Sequence, residues 1–212
     1  VFDTGSAQIF VNSDKCKDQN CLTKRKYSSS RSKTYKSLHK TISVAFGSGI
    51  IEGELSQDTV SLGNMMIDGV VFAEIVKPSK TLFHNAYFDG VLGLALPGLA
   101  REDTTPIFDR IMESKELTQN SFSFFFDRIG NFSKSFFSMG APDKRFYKKG
   151  SLVYHPVLGN KYWEVRLNKV FVGDKETDLC VHGCTAIFDT GSSLISGPSE
   201  SVYKLLGRIR LT

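Results

Sequence analysis

Val1-Phe2-Asp3-Thr4-Gly5-Ser6-Ala7-Gln8-Ile9 returns later in the chain as Ile187-Phe188-Asp189-Thr190-Gly191-Ser192-Ser193-Leu194-Ile195. Five consecutive residues, Phe-Asp-Thr-Gly-Ser, are identical at a separation of 186 residues. Solenoid repeats recur every ~20–50 residues, so this wide spacing points to duplicated lobes instead. In each copy a Gly after Asp-Thr permits a tight turn that exposes the carboxylate at the end of an apolar strand. The Thr and Ser hydroxyls can orient or donate to that carboxylate. Two such loops facing each other would bring Asp3 and Asp189 together, where like charges cannot both ionise. The pair then shares one proton, one member serving as acid and the other as base. A lone Asp-Thr-Gly carries little weight, because Asp-Gly turns are common. Two copies, each preceded by an apolar pair and followed by Ser, carry a great deal.

Outward from the repeat, the chain reads as short β segments with turn punctuation, over 41–46, 49–55, 58–62, 70–75, 90–94, 121–126 and 163–172. Two helices are predicted. Residues 106–114 start at a Pro and put Ile107, Phe108, Ile111 and Met112 on one stripe; residues 199–209 follow Pro198 and carry Val202, Leu205, Leu206 and Ile209. A mostly β, two-lobed protein results.

The 212 residues include 41% hydrophobic and 23% charged side chains, which excludes wholesale disorder. Nothing approaches the ~18 apolar residues a membrane helix needs, so no membrane span is expected in this segment. The opening at Val1, with no initiating Met, reads as a cut end. A net charge of +5 permits contact with polyanions, but the basic residues cluster only in 15–40, among Ser, Thr and Cys. That is the pattern of a solvated loop face, and no nucleic-acid partner is predicted. The cysteines form two tight pairs, Cys16/Cys21 and Cys180/Cys184. Their gaps differ from the C-x2-C knuckle of zinc sites, although His182 lies inside the second pair; two small disulfides are the favoured reading and zinc the other. Asn131-Phe132-Ser133 is one glycosylation acceptor sequence.

With these residues in place the chain resembles the pepsin-like aspartic proteases over nearly its whole length. Ala45-Phe46-Gly47-Ser48-Gly49 followed by Gly53 resembles the flap hairpin that closes over substrate. Ser56-Gln57-Asp58-Thr59-Val60 and Leu62-Gly63-Asn64 resemble the strands after it, and Tyr162-Trp163 the start of the second lobe. Phe88-Asp89-Gly90-Val91-Leu92-Gly93-Leu94 resembles the segment that passes beneath the first Asp loop. Within the family, the run from Cys21 to Tyr35 is similar to the parasite branch, the plasmepsins. The resemblance implies a bilobal fold, with the first lobe nearly complete over 1–145 and the start of the second over 146–212. It implies local disulfides Cys16–Cys21 and Cys180–Cys184, and no metal or other cofactor. Asp3 and Asp189 would be catalytic, holding one water between them. Thr4, Ser6 and Thr190 would support the carboxylates, with Ser192 a donor like Ser6. Gly5, Phe46, Gly47, Ser48, Leu82, Phe88, Val91, Gly191 and Ser192 would line the substrate site. For Leu82, Phe88 and Val91, ordinary core is the competing reading.

Three features depart from the pattern. Phe46 stands where most relatives carry Tyr, and Phe10 where they carry Trp. In the family those two side chains share a hydrogen bond, and the paired loss avoids one unpartnered polar group. Apolar packing of the flap and altered inhibitor preference follow. Third, the resemblance implies sequence before Val1 and much of a second lobe after Leu206, so the 212 residues alone are expected to fold poorly and cleave nothing. The parent is then an aspartic endopeptidase acting on protein or peptide substrates near hydrophobic residues, for bulk digestion or for processing secreted proteins. It would be made with its own prosegment, act as a monomer, and reside in the secretory pathway, a vesicle or vacuole, or outside the cell. The alternative is a truncated or inactive relative that binds peptides without cutting. Serine-protease and metal-hydrolase readings lack partners: His39, His84, His155 and His182 form no H-x-x-x-H, and no Ser sits in a G-x-S-x-G elbow.

Overall fold

The computed structural model describes residues 1–46, 49–78, 87–101, 104–127 and 134–209. Strands dominate. A six-stranded sheet holds β1 (Phe2–Asp3), β2 (Ile9–Asn12), β3 (Lys36–Phe46), β4 (Gly49–Leu62), β5 (Met65–Pro78) and β6 (Gly90–Gly93), in the spatial order β1-β6-β2-β5-β4-β3. Three short strand pairs follow: β7 (Phe122–Phe125) with β8 (Phe136–Met139), β9 (Glu164–Leu167) with β12 (Cys184–Ile187), and β10 (Phe171–Val172) with β11 (Lys175–Glu176). Helix α1 (Gln19–Leu22) sits in the first disulfide loop, α2 (Ile107–Ser114) follows Pro106, and α3 (Ser199–Arg208) follows Pro198.

The strands predicted over 49–55 and 58–62 are one continuous strand, β4, because the irregularity at Asp58/Val60 leaves both halves paired with β5. The segment predicted over 163–172 is two strands, β9 and β10. Both helices lie within a residue of the expected bounds. β2, β8, β11, β12 and helix α1 escaped the sequence reading; each is only two to four residues long.

Alternation along β5 explains why the large sheet is covered on both sides. Val70 and Phe72 join one apolar cluster with Ile9, Ile67, Leu94, Ile107, Phe108 and Ile111. Val71, Ala73 and Ile75 face the other way, into a cluster with Phe10, Ile42, Ile51 and Leu55. Successive side chains of a strand point to opposite faces, so one strand seeds both cores. Burial of each large aliphatic or aromatic side chain contributes roughly 1.5–3 kcal/mol. Later in the chain the apolar surface is bare: Phe188, Leu194 and Ile195 are exposed, and no residue of α3 is buried.

Both predicted disulfides are present, Cys16–Cys21 and Cys180–Cys184. The second bond removes both sulfurs from any metal-ligand role beside His182. No helix among the described residues is long and apolar enough to cross a membrane. The acceptor sequence at 131–133 lies outside the described residues.

Asp58 on β4 is buried, and Tyr27 Oη donates to its Oδ2 at 2.5 Å, Thr34 Oγ1 to its Oδ1, and the Thr59 N–H to its Oδ1 at 2.8 Å. Burial opposes the charge, but hydrogen bonds from Thr34, Tyr27, Ser32 and Thr59 outweigh it and pull the pKa from 3.8 down to about 2. A depressed carboxylate stabilises the fold fully above its unfolded value and loses that contribution as pH falls through the folded value. In the intact protein Asp58→Asn is expected to cost about 1–2 kcal/mol at pH ~5. The gap from wild type should close between pH 3.8 and about 2, as followed by denaturant melts across pH.

Candidate active site

The first Asp loop hangs between strands. β1 runs parallel to β6, with Asp3 opposite Gly93, while β2 runs antiparallel to the same strand, with Ile9 opposite Leu92. The chain at 92–95 therefore threads under the loop and donates to it. The Leu92 N–H bonds Val1 O at 2.8 Å, Gly93 N–H bonds Gln8 O at 3.0 Å, Leu94 N–H bonds Asp3 O at 2.7 Å, and Ala95 N–H bonds Ser6 O at 2.9 Å. A Cβ on Gly93 would come within 2.6 Å of the Ala7, Gln8 and Ser6 backbone, so the position tolerates only glycine.

The second Asp loop follows β12. The Phe188 N–H donates to Trp163 O at 3.0 Å, and Trp163 Nε1 donates to Leu94 O at 2.7 Å. One indole thus connects the support of the second loop to the segment beneath the first.

The two loops meet through a reciprocal lattice. Thr4 Oγ1 donates to Phe188 O at 2.7 Å and accepts from the Thr190 N–H at 2.9 Å. Thr190 Oγ1 donates to Phe2 O at 2.7 Å and accepts from the Thr4 N–H at 3.1 Å. The threonine hydroxyls therefore do not reach the carboxylates, as the sequence reading allowed; they stitch one loop to the backbone of the other. Each carboxylate is held within its own loop. Gly5 N–H donates to Asp3 Oδ1 at 2.9 Å and Ser6 Oγ to Asp3 Oδ2. Gly191 N–H donates to Asp189 Oδ1 at 2.8 Å and Ser192 Oγ to Asp189 Oδ2 at 2.7 Å. Ser192 thus occupies the place of Ser6, as a donor to the carboxylate.

Gly5 and Gly191 have a different reason for being glycine than the one the sequence offered. Neither has a positive φ. A Cβ on Gly5 would lie 2.5 Å from Asp189 Cγ, and one on Gly191 would lie 2.2 Å from Asp3 Oδ1. Each glycine makes room for the opposite carboxylate. Asp3 and Asp189 consequently face each other, and each bears on the other's pKa. Burial pushes Asp3 up, and the neighbouring Asp189 pushes the same way. For Asp189 burial also acts upward, but donation from Ser192, Gly191 and Asp3 outweighs it and holds the group low. The surroundings thus push the two carboxyls in opposite directions.

Phe88 and Val91 pack, half-buried, against the Phe10 cluster, so the structure places them at one wall with a core residue. Phe10 itself is fully buried. Gly47, Ser48, Leu82 and the Phe46 side chain lie outside the described residues. A cavity of about 380 Å³, lined by Ile9, Phe72, Val91 and Leu92 among others, touches neither Asp3 nor Asp189. Sequence reasoning missed Trp163 as a bridge; its signal, a lone Trp beside the second-lobe start, does not identify a partner 69 residues away.

The family model for eukaryotic aspartyl proteases matches residues 1–211. The chain is 40% identical to cathepsin D from Bos taurus over 217 residues, covering 97% of this chain and 55% of that protein. It is 39% identical to cathepsin D from Chionodraco hamatus over 208 residues, covering 97% and 52%. It is also 35% identical over 210 residues to pregnancy-associated glycoprotein 2 from Sus scrofa, covering 99% and 49%. The chain spans about half the length of these relatives.

Thr4 offers a direct check on the lattice. Thr4→Val keeps the shape but deletes one donor and one acceptor, and should cost about 1–3 kcal/mol. Thr4→Ser should restore most of it. Calorimetry of the intact protein, with the carboxyl titrations followed by NMR, should show Asp3 moving back toward an ordinary value in the Val variant as the two loops separate.

Proposed function

The chain belongs to the eukaryotic aspartyl protease family, and from that premise we propose that it forms the first lobe and the start of the second in an aspartic endopeptidase, with Asp3 and Asp189 as the catalytic pair. The observation that carries the reading is the pair of facing carboxyls, each pressed on the opposite loop's glycine and seated on the threonine lattice. A water between the carboxyls supplies the nucleophile. Asp189, held ionised by Ser192 and Gly191, takes a proton from that water as its oxygen attacks the scissile carbonyl. Asp3, kept protonated by burial, donates to the carbonyl oxygen. The gem-diol collapses as the proton taken up by Asp189 passes to the leaving nitrogen and Asp3 takes one back from a gem-diol hydroxyl, which becomes the product carbonyl. Both carboxyls thereby regain their starting forms. No covalent enzyme intermediate is needed.

The β3–β4 hairpin, paired up to Phe46 opposite Gly49, is placed as the cover over substrate. Phe88 and Val91, against Phe10, supply an apolar wall for the residue before the cut. The division at 145/146 is the lobe boundary in this reading. Two disulfides fit a secretory, vesicular or extracellular setting, and protein or peptide substrates, a prosegment and a monomeric state complete the proposal. The run 21–35 favours the plasmepsin-like branch.

The test is cleavage of a quenched peptide with a hydrophobic junction by the full-length, prosegment-free protein, from acid to neutral pH, with and without pepstatin. Activity should be bell-shaped, falling on the acid side as Asp189 gains a proton and on the basic side as Asp3 loses one. Asp3→Asn and Asp189→Asn should each reduce kcat by at least about 10²-fold. Peptide binding without cleavage by the folded protein would overturn the enzyme reading in favour of a binding relative.

The phenyl ring of Phe10 brings no polar atom to the hairpin, and Ile42, Ile51 and Leu55 pack on it instead. Apolar packing therefore holds the cover in this reading. Phe46→Tyr is expected to change inhibition constants for pepstatin-like compounds; identical constants would count against it.

A further inference from the structure

Glu74 is an ionisable side chain that the proposed chemistry does not use. It lies on β5, fully buried, opposite Glu54 of β4 on one side and Val11 of β2 on the other. Ser13 Oγ, at the end of β2, donates to Glu74 Oε2 at 2.8 Å. Ser56 Oγ, on β4, donates to Glu74 Oε1 at 2.5 Å. Lys15 Nζ lies 3.6 Å from Glu74 Oε2 and 2.8 Å from Glu54 Oε2, carrying the connection into the Cys16–Cys21 loop.

β2 and β4 are not neighbours in the sheet; β5 lies between them. Ladder bonds tie each of them to β5, and the Glu74 carboxylate adds a bond to each that crosses the intervening strand. β2 is the strand that leaves the first Asp loop, and β4 is the returning strand of the hairpin. Immediately beyond this point the register shifts, between Glu52 opposite Lys77 and Gly53 opposite Ile75. Gly53 is pressed so closely on the neighbouring strand that a Cβ there would sit 2.6 Å from Glu74 O. A register shift re-aims the strand that follows it. The clamp therefore sits at the base of the hairpin, just before the strand changes direction toward its tip.

We infer that Glu74, acting through Ser13 and Ser56, is a positioning residue that fixes the β3–β4 hairpin relative to the first Asp loop. The inference rests on the reading of that hairpin as the cover over substrate. Glu74 touches no reacting atom. Its carboxylate accepts from both hydroxyls at once, and buried charge-assisted hydrogen bonds of this kind are among the stronger ones. An amide in its place would keep one acceptor and turn the other position into a donor.

The test compares Glu74→Gln and Ser56→Ala with Ile111→Val in the full-length protein. Ile111 is buried in the other cluster and serves as a control for simple destabilisation. Two readouts are needed: KM against kcat with the quenched peptide, and amide hydrogen exchange over 42–55 without substrate. Both clamp variants should raise KM on the order of tenfold, the loss of one charge-assisted hydrogen bond, and speed exchange in 49–55. kcat should stay within about twofold. Ile111→Val should lower the melting temperature without either change. The inference is overturned by unchanged KM and exchange in the clamp variants, or by Ile111→Val raising KM and speeding exchange in 49–55 as much as they do. Should the wild type cleave nothing, the enzyme reading fails, and the exchange measurement still decides whether Glu74 fixes the hairpin.

Discussion

Four hydrogen bonds between two threonines and the opposing backbones hold two carboxyls where electrostatics would otherwise part them. Like charges held face to face disfavour each other's ionisation, so the lattice converts a geometric constraint into an electrostatic one, and Asp189 pushes the pKa of Asp3 up. The lattice is also symmetric, with each threonine donating to the other loop's carbonyl and accepting from its amide. The difference between the two carboxyls therefore comes from the surroundings: burial pushes Asp3 up, whereas donation from Ser192 and Gly191 holds Asp189 low.

The same dependence runs outward into the fold. β6 reaches the loop only because it runs between β1 and β2, and it can do so because Gly90 and Gly93 carry no side chain. A Cβ at Gly90 would lie 2.3 Å from Phe10 O. The pair of glycines thus transmits the order of the large sheet into the position of Asp3. Trp163 extends the support across the chain, since its indole bonds Leu94 O while its own carbonyl receives the Phe188 amide. An error in this stack would displace the loops together, which preserves the separation that the lattice sets.

Much of this was legible in the sequence, and the reasons divide cleanly. The repeated Phe-Asp-Thr-Gly-Ser is local, so it announced both loops and the facing carboxyls. Period-two patterning announced β4 to β6 and the mostly β class. The cysteine spacing announced two local bridges. Reasons that depend on what lies across space were hidden. Gly5 and Gly191 look like turn glycines, but their φ angles are ordinary and the opposing carboxylate is what excludes a side chain. Thr4 and Thr190 look like supports for their own aspartates, and instead they serve the other loop. β8 and β12 lacked a strong pattern because each is only four residues long and is fixed by its partner. Nothing in the sequence singles out Glu74, and only the sheet order puts two hydroxyls beside it.

Those hydroxyls follow a rule that runs through the described residues. Asp3 is held by Ser6, Asp189 by Ser192, Asp58 by Tyr27 and Thr34, and Glu74 by Ser13 and Ser56. A lysine or arginine can only donate, so its partner must stay ionised for the contact to survive. A hydroxyl donates to a carboxylate and accepts from a carboxylic acid, so it keeps a bond in both protonation states. Cationic partners are mostly found at the surface, in pairs such as Lys77–Glu52 and Lys169–Glu176, where little stability depends on them. Lys15 is the exception that touches the interior, and it stands farther from Glu74 than either serine does. Under the proposed chemistry, Ser6 and Ser192 hold the geometry of the two carboxyls while a proton moves. The framework around the site, at Asp58 and Glu74, is built from the same hydroxyl–carboxylate bonds.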